Sequence, residues 1–373
     1  VILIDEYDKP IIDYLDDPEK AKSQRNILKT FYSIIKDSDQ YLRMLFITGV
    51  SKFSKASIFS ELNNLQELSL HPRYASFLGY TQQELETSFE ERIDHLAPNF
   101  GGRAAFLELI RHWYNGYTWD GTNHVYNPFS ILNFFDAGVF LNFWFESGTP
   151  TFLIKLLRKT KLYDMESIKS ASAAFGSYEL DNISPETLLF QTGYITIKED
   201  LGFGLFELGY PNQEVRESML QYLLADYTQQ GQGRASAPAL LMAHALVKGD
   251  VTELRAHINA MLGSIPYELH QKNEAYYHTV MHLAFSLIGV HIQSEIHVAK
   301  GRLDCIVQTE QHIYIFEFKV NRTAQEAIHQ IQENKYAEPY KNIGKTITII
   351  GVNFNTDLKE VDDWLIETIP LST

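Results

Sequence analysis

Residues 313–320 read Ile313-Tyr314-Ile315-Phe316-Glu317-Phe318-Lys319-Val320. A short apolar run of this kind, bounded by turn residues, predicts a core strand over Ile313–Phe318. Side chains alternate between faces along a strand, so Glu317 and Lys319 share a face while Phe318 points into the core. Burying an acid and a lysine at the end of a core strand is costly unless they are paired or used. Their presence there points to chemistry.

The flanking sequence supplies partners. The loop Thr309–His312 leads back to a second strand, Leu303–Gln308, which carries Asp304 just after the turn Gly301-Arg302. A strand over Ile292–Val298 and a helix over Tyr276–Gly289 come before it; Val280, Leu283, Ala284 and Leu287 form the helix's core stripe. A helix from Thr323 to about Tyr336 and the apolar strand Thr346–Val352 follow. Pairing of the strands on either side of the loop brings Asp304 toward Glu317. Two converging carboxylates suit a hard divalent cation, Mg²⁺ or Mn²⁺, bound through oxygen. Such an ion lowers the pKa of a water and polarises a phosphate. Lys319 would position the attacking water or offset charge developing on the phosphate.

Asp304, the Glu317-Phe318-Lys319 triplet and Gln330 together resemble the PD-(D/E)XK nuclease superfamily, over roughly residues 265–373. The resemblance implies a restriction-endonuclease-like α/β core that hydrolyses DNA or RNA phosphodiesters. It implies Asp304 and Glu317 as metal ligands and Lys319 as the catalytic assistant. It adds Glu274 on the preceding helix as a further carboxylate and metal ligand, with Glu295 as the alternative, and Gln330 as an orienting amide.

At the other end, Val1-Ile2-Leu3-Ile4 is an apolar run closed by Asp5-Glu6 and reads as a buried, parallel-type strand. Residues 20–37 show helical spacing with Ile27, Leu28, Phe31, Ile34 and Ile35 on one side, and Leu42–Thr48 forms a second strand. An acidic pair at a strand end looks like a Walker B element, in which Asp5 would hold Mg²⁺ and Glu6 would polarise the attacking water. The longer strings are more distinctive: Ile4-Asp5-Glu6-Tyr7-Asp8-Lys9-Pro10, Leu45-Phe46-Ile47-Thr48-Gly49-Val50-Ser51-Lys52, Tyr114-Asn115-Gly116-Tyr117 and Tyr126-Asn127-Pro128-Phe129-Ser130. They resemble the bacterial AAA-ATPase-like family, whose members carry a PD-(D/E)XK domain at the C-terminus. That implies a partial AAA-ATPase-like α/β region over 1–95, P-loop-NTPase-like in fold, with Thr48 in the sensor position. No G-x-x-x-x-G-K-[ST] loop, whose N–H groups and lysine cradle phosphates, occurs in the sequence. The family places that loop ahead of the Walker B strand, so the chain is expected to be an N-terminal truncation. ATP binding is expected only in a longer form.

Between these regions, 96–264 reads as a mainly helical lid or linker. Helices are predicted over Gly101–Tyr114, Pro128–Phe135, Thr151–Leu157, Pro185–Leu189 and Pro238–Leu262, with a β-hairpin around Gly202 and a loop over Gln229–Ala237. Tyr117, Tyr126 and Asn127 read equally well as packing residues and as functional ones. His278 and His282 have zinc-compatible spacing but no third ligand at convincing distance.

The net charge of −15 counts against tight, non-specific nucleic-acid binding, since phosphates seek Lys/Arg patches. Lys300, Arg302, Lys319, Arg322, Lys335 and Lys341 are the candidates for a local phosphate track. The hydrophobic share of 45% excludes disorder, and no apolar run is long enough to span a bilayer. One cysteine, Cys305, excludes an intrachain disulfide and fits a reducing compartment, so a cytoplasmic, membrane-free protein is expected. The function expected is a metal-dependent nuclease acting on nucleic acid, coupled in a full-length protein to an ATPase module. A regulatory protein that keeps the nuclease-like scaffold without catalysis is the alternative.

Overall fold

The computed structural model describes residues 1–15, 17–50, 52, 65–146, 151–160, 162–176, 184–266, 274–292, 296–298 and 304–369. It is a mixed α/β chain that divides into two compact units, Val1–Arg216 and Glu217–Thr373.

The first unit opens with strand β1 (Ile2–Ile4), helices α1 (Lys9–Ile12) and α2 (Pro18–Asp37), and strand β2 (Leu45–Ile47). β1 and β2 pair in parallel, Leu3 opposite Phe46. Asp17 starts α2 by accepting the Lys20 N–H, with Pro18 in the first turn. The expected stripe of α2 splits. Tyr32 and Ile35 are buried with Ala21, whereas Ile27, Phe31 and Ile34 are exposed. β1 is also not buried throughout, because Leu3 is 69% exposed.

Helices α3 (Gln82–Ser88), α4 (Glu90–Leu96), α5 (Arg103–Tyr114) and α6 (Pro128–Ala137) follow, then α7 (Phe143–Glu146), α8 (Thr151–Thr160) and α9 (Pro185–Gln191). A core of Leu85, Ile93, Phe106, Ile110, Tyr114, Tyr126, Ile131 and Phe134 joins α3 to α6. Each start signal is chemical: Thr81 and Glu84 form a reciprocal capping box on α3, and Asn127 caps α6 ahead of Pro128. This region is not purely helical, since strand β3 (Ile168–Ala171) joins the hairpin of β4 (Thr196–Gly202) and β5 (Leu205–Gly209) in an antiparallel sheet ordered β3-β5-β4.

Helix α10 (Gln213–Thr228) leads on to α11 (Gln232–Lys248), α12 (Val251–Gly263) and α13 (Glu274–Ile292). The predicted loop Gln229–Ala237 is thus mostly helix. Burial of Ala235 and Ser236 outweighs the low helix propensity of a Gly- and Ser-containing stretch. The long helix predicted over Pro238–Leu262 is broken by Gly249, in the left-handed conformation, and by Asp250, which caps α12.

Strands β6 (Ile296–Val298), β7 (Asp304–Gln308) and β8 (His312–Val320), helix α14 (Ala324–Glu333), and strands β9 (Thr346–Asn355) and β10 (Glu360–Ile369) complete the chain. The sheet order is β10-β9-β8-β7-β6, with β8 and β9 parallel and the other pairs antiparallel. Both faces are covered. Ile313, Ile315, Ile347 and Ile349 pack with Ile328 and Ile331 of α14. On the other face the rings of Phe316 and Phe318 lie 5.1 and 5.7 Å from that of Phe285 on α13. β10 is an additional edge strand, held where Val361 exchanges hydrogen bonds with Asn259 and Arg255 of α12.

Candidate functional site

The central strand β8 positions Glu317. Its register partners are Asp304 on β7 and Gly351 on β9. Gly351 leaves room for α14, since a Cβ there would collide with the Ala324 carbonyl oxygen and come within 2.9 Å of Ile328. The helix therefore sits low on the sheet, which brings Gln330 to the end of β8. Glu317 is only 2% exposed. Its Oε1 accepts a hydrogen bond from Lys319 Nζ at 2.8 Å, and the same amine donates to Gln330 Oε1. Oε2 of Glu317 has no partner among the described residues.

A buried carboxylate with one oxygen paired and the other orphaned carries a desolvation cost that a neighbouring cation would offset. The oxygen-only chemistry of this donor, set opposite position 304, fits a hard divalent ion. The side chains of Asp304 and Glu274 lie outside the described residues, as do Glu295, Lys300 and Arg302 in full. Glu274 is placed at the first residue of α13. Among the described residues, no group of three or more His, Cys, Asp or Glu side chains gathers to hold a metal. Cys305, next to Asp304, is buried. Arg322 and Lys341 of the proposed phosphate track are each within ion-pair distance of a glutamate on the surface.

In the first unit, Asp5 and Glu6 follow β1 directly and are exposed. Thr48, just past β2, donates its hydroxyl to Asp5 Oδ1, which also accepts the Glu6 N–H at 3.1 Å. The parallel register explains the meeting: Ile4 pairs with Ile47, so the next residues emerge side by side.

Two acids escaped the sequence reading. Asp8 is fully buried and accepts the Val50 N–H at 3.1 Å, tying the Asp5–Lys9 loop to the loop after β2. Its position inside the Ile4–Pro10 string was the available signal. Glu214 is also fully buried, accepting from Ser130 Oγ at 2.7 Å and the Trp144 N–H at 2.8 Å. Burial pushes its carboxyl up to about 7 against those hydrogen bonds. Nothing in the polar segment around Glu214 marks it as interior. The Tyr117 and Tyr126 strings form backbone bridges, Tyr117 with Val125 and Tyr126 with Tyr80; the Tyr126 ring joins the helical core, and the Tyr117 ring meets Trp144 edge-on.

Comparison with known proteins places both ends. The family described as PD-(D/E)XK nuclease superfamily matches residues 272–364, and that described as Predicted AAA-ATPase matches residues 1–59. A protein of Azotobacter chroococcum mcd 1, described as "Uncharacterized protein in vnfD 5'region", is 37% identical over 387 aligned residues, covering 99% of this chain and 72% of its own length. No solved structure matches. No helix among the described residues is long and apolar enough to cross a membrane. With a relative of that identity matched along 99% of this chain, and both family regions in the expected order, the chain belongs to the AAA-ATPase-like family with a C-terminal PD-(D/E)XK nuclease superfamily region.

Proposed function

We propose that the second unit is a divalent-metal-dependent nuclease, cleaving nucleic-acid phosphodiester bonds at Asp304, Glu317 and Lys319. The observation that carries this reading is the state of Glu317: buried, salt-bridged to Lys319 through one oxygen, unpartnered at the other among the described residues, and in register with Asp304. Asp304 and Glu317 would hold Mg²⁺ or Mn²⁺, with Glu274 as a further carboxylate; the ion supplies Lewis-acid activation of phosphate and water. Glu317 fixes the Lys319 amine at the strand end. Gln330 accepts a second hydrogen bond from it and restricts its rotamers, so the amine is pre-oriented toward charge developing on phosphate oxygen. We couple this centre to an AAA-like ATPase module formed by the 1–95 region, with the 96–264 region as its helical lid. Asp5, Glu6 and Thr48 would form the acidic and sensor positions, needing a phosphate-binding loop to hold ATP.

Incubating supercoiled plasmid and a labelled single-stranded RNA with the protein and Mg²⁺ or Mn²⁺ tests the proposal. Nicking or cleavage is expected, abolished by EDTA and lowered roughly 100-fold or more by Asp304→Ala or Lys319→Ala. Cleavage that persists undiminished in both variants rules the site out. The net charge of −15 favours a second reading, a non-catalytic regulatory scaffold. That reading predicts no cleavage and no Mn²⁺ affinity in the wild-type protein.

A further inference from the structure

The first unit contains a cleft of about 620 Å³, a size within the range that encloses small molecules. Its floor is built where two loops brace each other. Gly116 has φ +117°, and a Cβ there would collide with the Pro211 carbonyl oxygen, so this loop lies flat against the segment before α10. Asn115, Tyr210 and Asn212 are buried in that floor. Asn212 also starts α10, its Oδ1 accepting the Val215 N–H at 3.1 Å, so the positive end of a 16-residue helix adjoins the cleft.

The rim is cationic. Arg111, Lys198 and Arg216 line it together with His112 and His124, against the acids Glu166 and Glu207. One of those acids is already engaged, since Glu166 Oε1 lies 2.6 Å from Arg216 Nε. Arg111 pairs with Glu108 at 2.7 Å, and its charge also acts on the Tyr126 hydroxyl. Lys198 runs its stem over Gly209, where an added Cβ would lie 3.2 Å from Lys198 Cγ; desolvation holds its amine below the usual lysine range, partly offset by the charge of Glu166. Three cationic side chains thus converge on one concave surface, with Glu166 and Glu108 held by Arg216 and Arg111; in a chain of net charge −15 such a local cluster is where an anion finds positive groups.

We infer that this cleft binds a phosphate-bearing small molecule of mononucleotide size, with Lys198 and Arg111 on the phosphate and the Asn115–Asn212 floor beneath the remainder. Guanidinium and ammonium groups suit phosphate by charge and by hydrogen-bond geometry. The site asks for nothing from Asp304, Glu317 or Lys319, so it stands or falls apart from the nuclease reading.

Isothermal titration of the whole chain with 5′-AMP, with inorganic phosphate and with a ten-nucleotide single strand tests it. Saturable 1:1 binding of 5′-AMP is expected, weakened about tenfold or more by Lys198→Glu and by Arg111→Glu. Both side chains are exposed, so the variants should fold, and circular dichroism checks this. Asp304→Ala should leave the affinity unchanged. Competition by inorganic phosphate alone, with AMP no tighter, would keep the phosphate contact and remove the mononucleotide class. Absence of saturable binding by AMP and phosphate alike, binding of the single strand only, or affinities untouched by both rim variants would each overturn the inference.

Discussion

At the scale of single residues, the buried acids differ in what compensates them. Glu317 has a cation beside it, whereas Glu214 has only hydrogen-bond donors, and burial pushes its carboxyl up to about 7. Raising a carboxyl above its ordinary 4.5 means that the folded chain holds that proton more tightly than the unfolded one. Stability therefore falls as pH rises from about 4.5 to about 7, then levels off. A shift of this size corresponds to on the order of 3 kcal/mol when the group is fully ionised. Glu214→Gln should flatten that slope, with urea midpoints for unfolding of the first unit nearly equal at about pH 5 and about pH 7.5, where the parent's midpoint drops. An unchanged slope in the variant would remove Glu214 as its source. The Glu317–Lys319 pair was legible because strand alternation makes a charged residue in an apolar run conspicuous. Glu214 was not legible, because Gln213–Arg216 is largely polar and only its tertiary partners, Ser130 and Trp144, make it interior.

Elements were readable where a period dominates and unreadable where packing overrides it. Over Ile313–Phe316 and Ile347–Val352, β8 and β9 are largely apolar on both faces, as a central parallel pair requires, and the helix over α14 follows from its spaced isoleucines. β10 escaped because its alternation is diluted by Glu360, Asp362, Asp363 and Glu367, suiting an edge strand with one open side. The junction of α14 with β9 offers a sharper test. At Gly351 the backbone of the helix leaves no room for a side chain. Gly351→Ala should lift the first turn of α14 and cost about 1–3 kcal/mol in urea unfolding, the usual range for overpacking. It should also lower cleavage by pulling Gln330 away from Lys319, while Gln330→Ala alone lowers cleavage with little loss of stability. Equal stability of Gly351→Ala and parent would show that α14 does not bear on β9 closely enough to exclude a methyl group.

At the scale of the molecule, two units with separate cores make ligand effects assignable. If Glu317 and Asp304 share a cation, that ion binds the folded second unit and not the unfolded chain, and so stabilises it by mass action. The gain is about 2.7 kcal/mol at a concentration roughly one hundred times the dissociation constant. Hydrogen exchange measured with and without Mn²⁺ should then show slowed exchange in peptides covering β7 and β8, in residues 304–320. Peptides covering α5, Arg103–Tyr114, should exchange at the same rate in both conditions. Asp304→Asn should abolish the protection without changing exchange in the metal-free protein. Protection spread evenly over both units, or retained in the variant, would mean that the ion acts through charge neutralisation of an acidic surface rather than at Glu317. The distinction matters because a net charge of −15 makes non-specific cation binding the strongest competing explanation for any metal response of this chain.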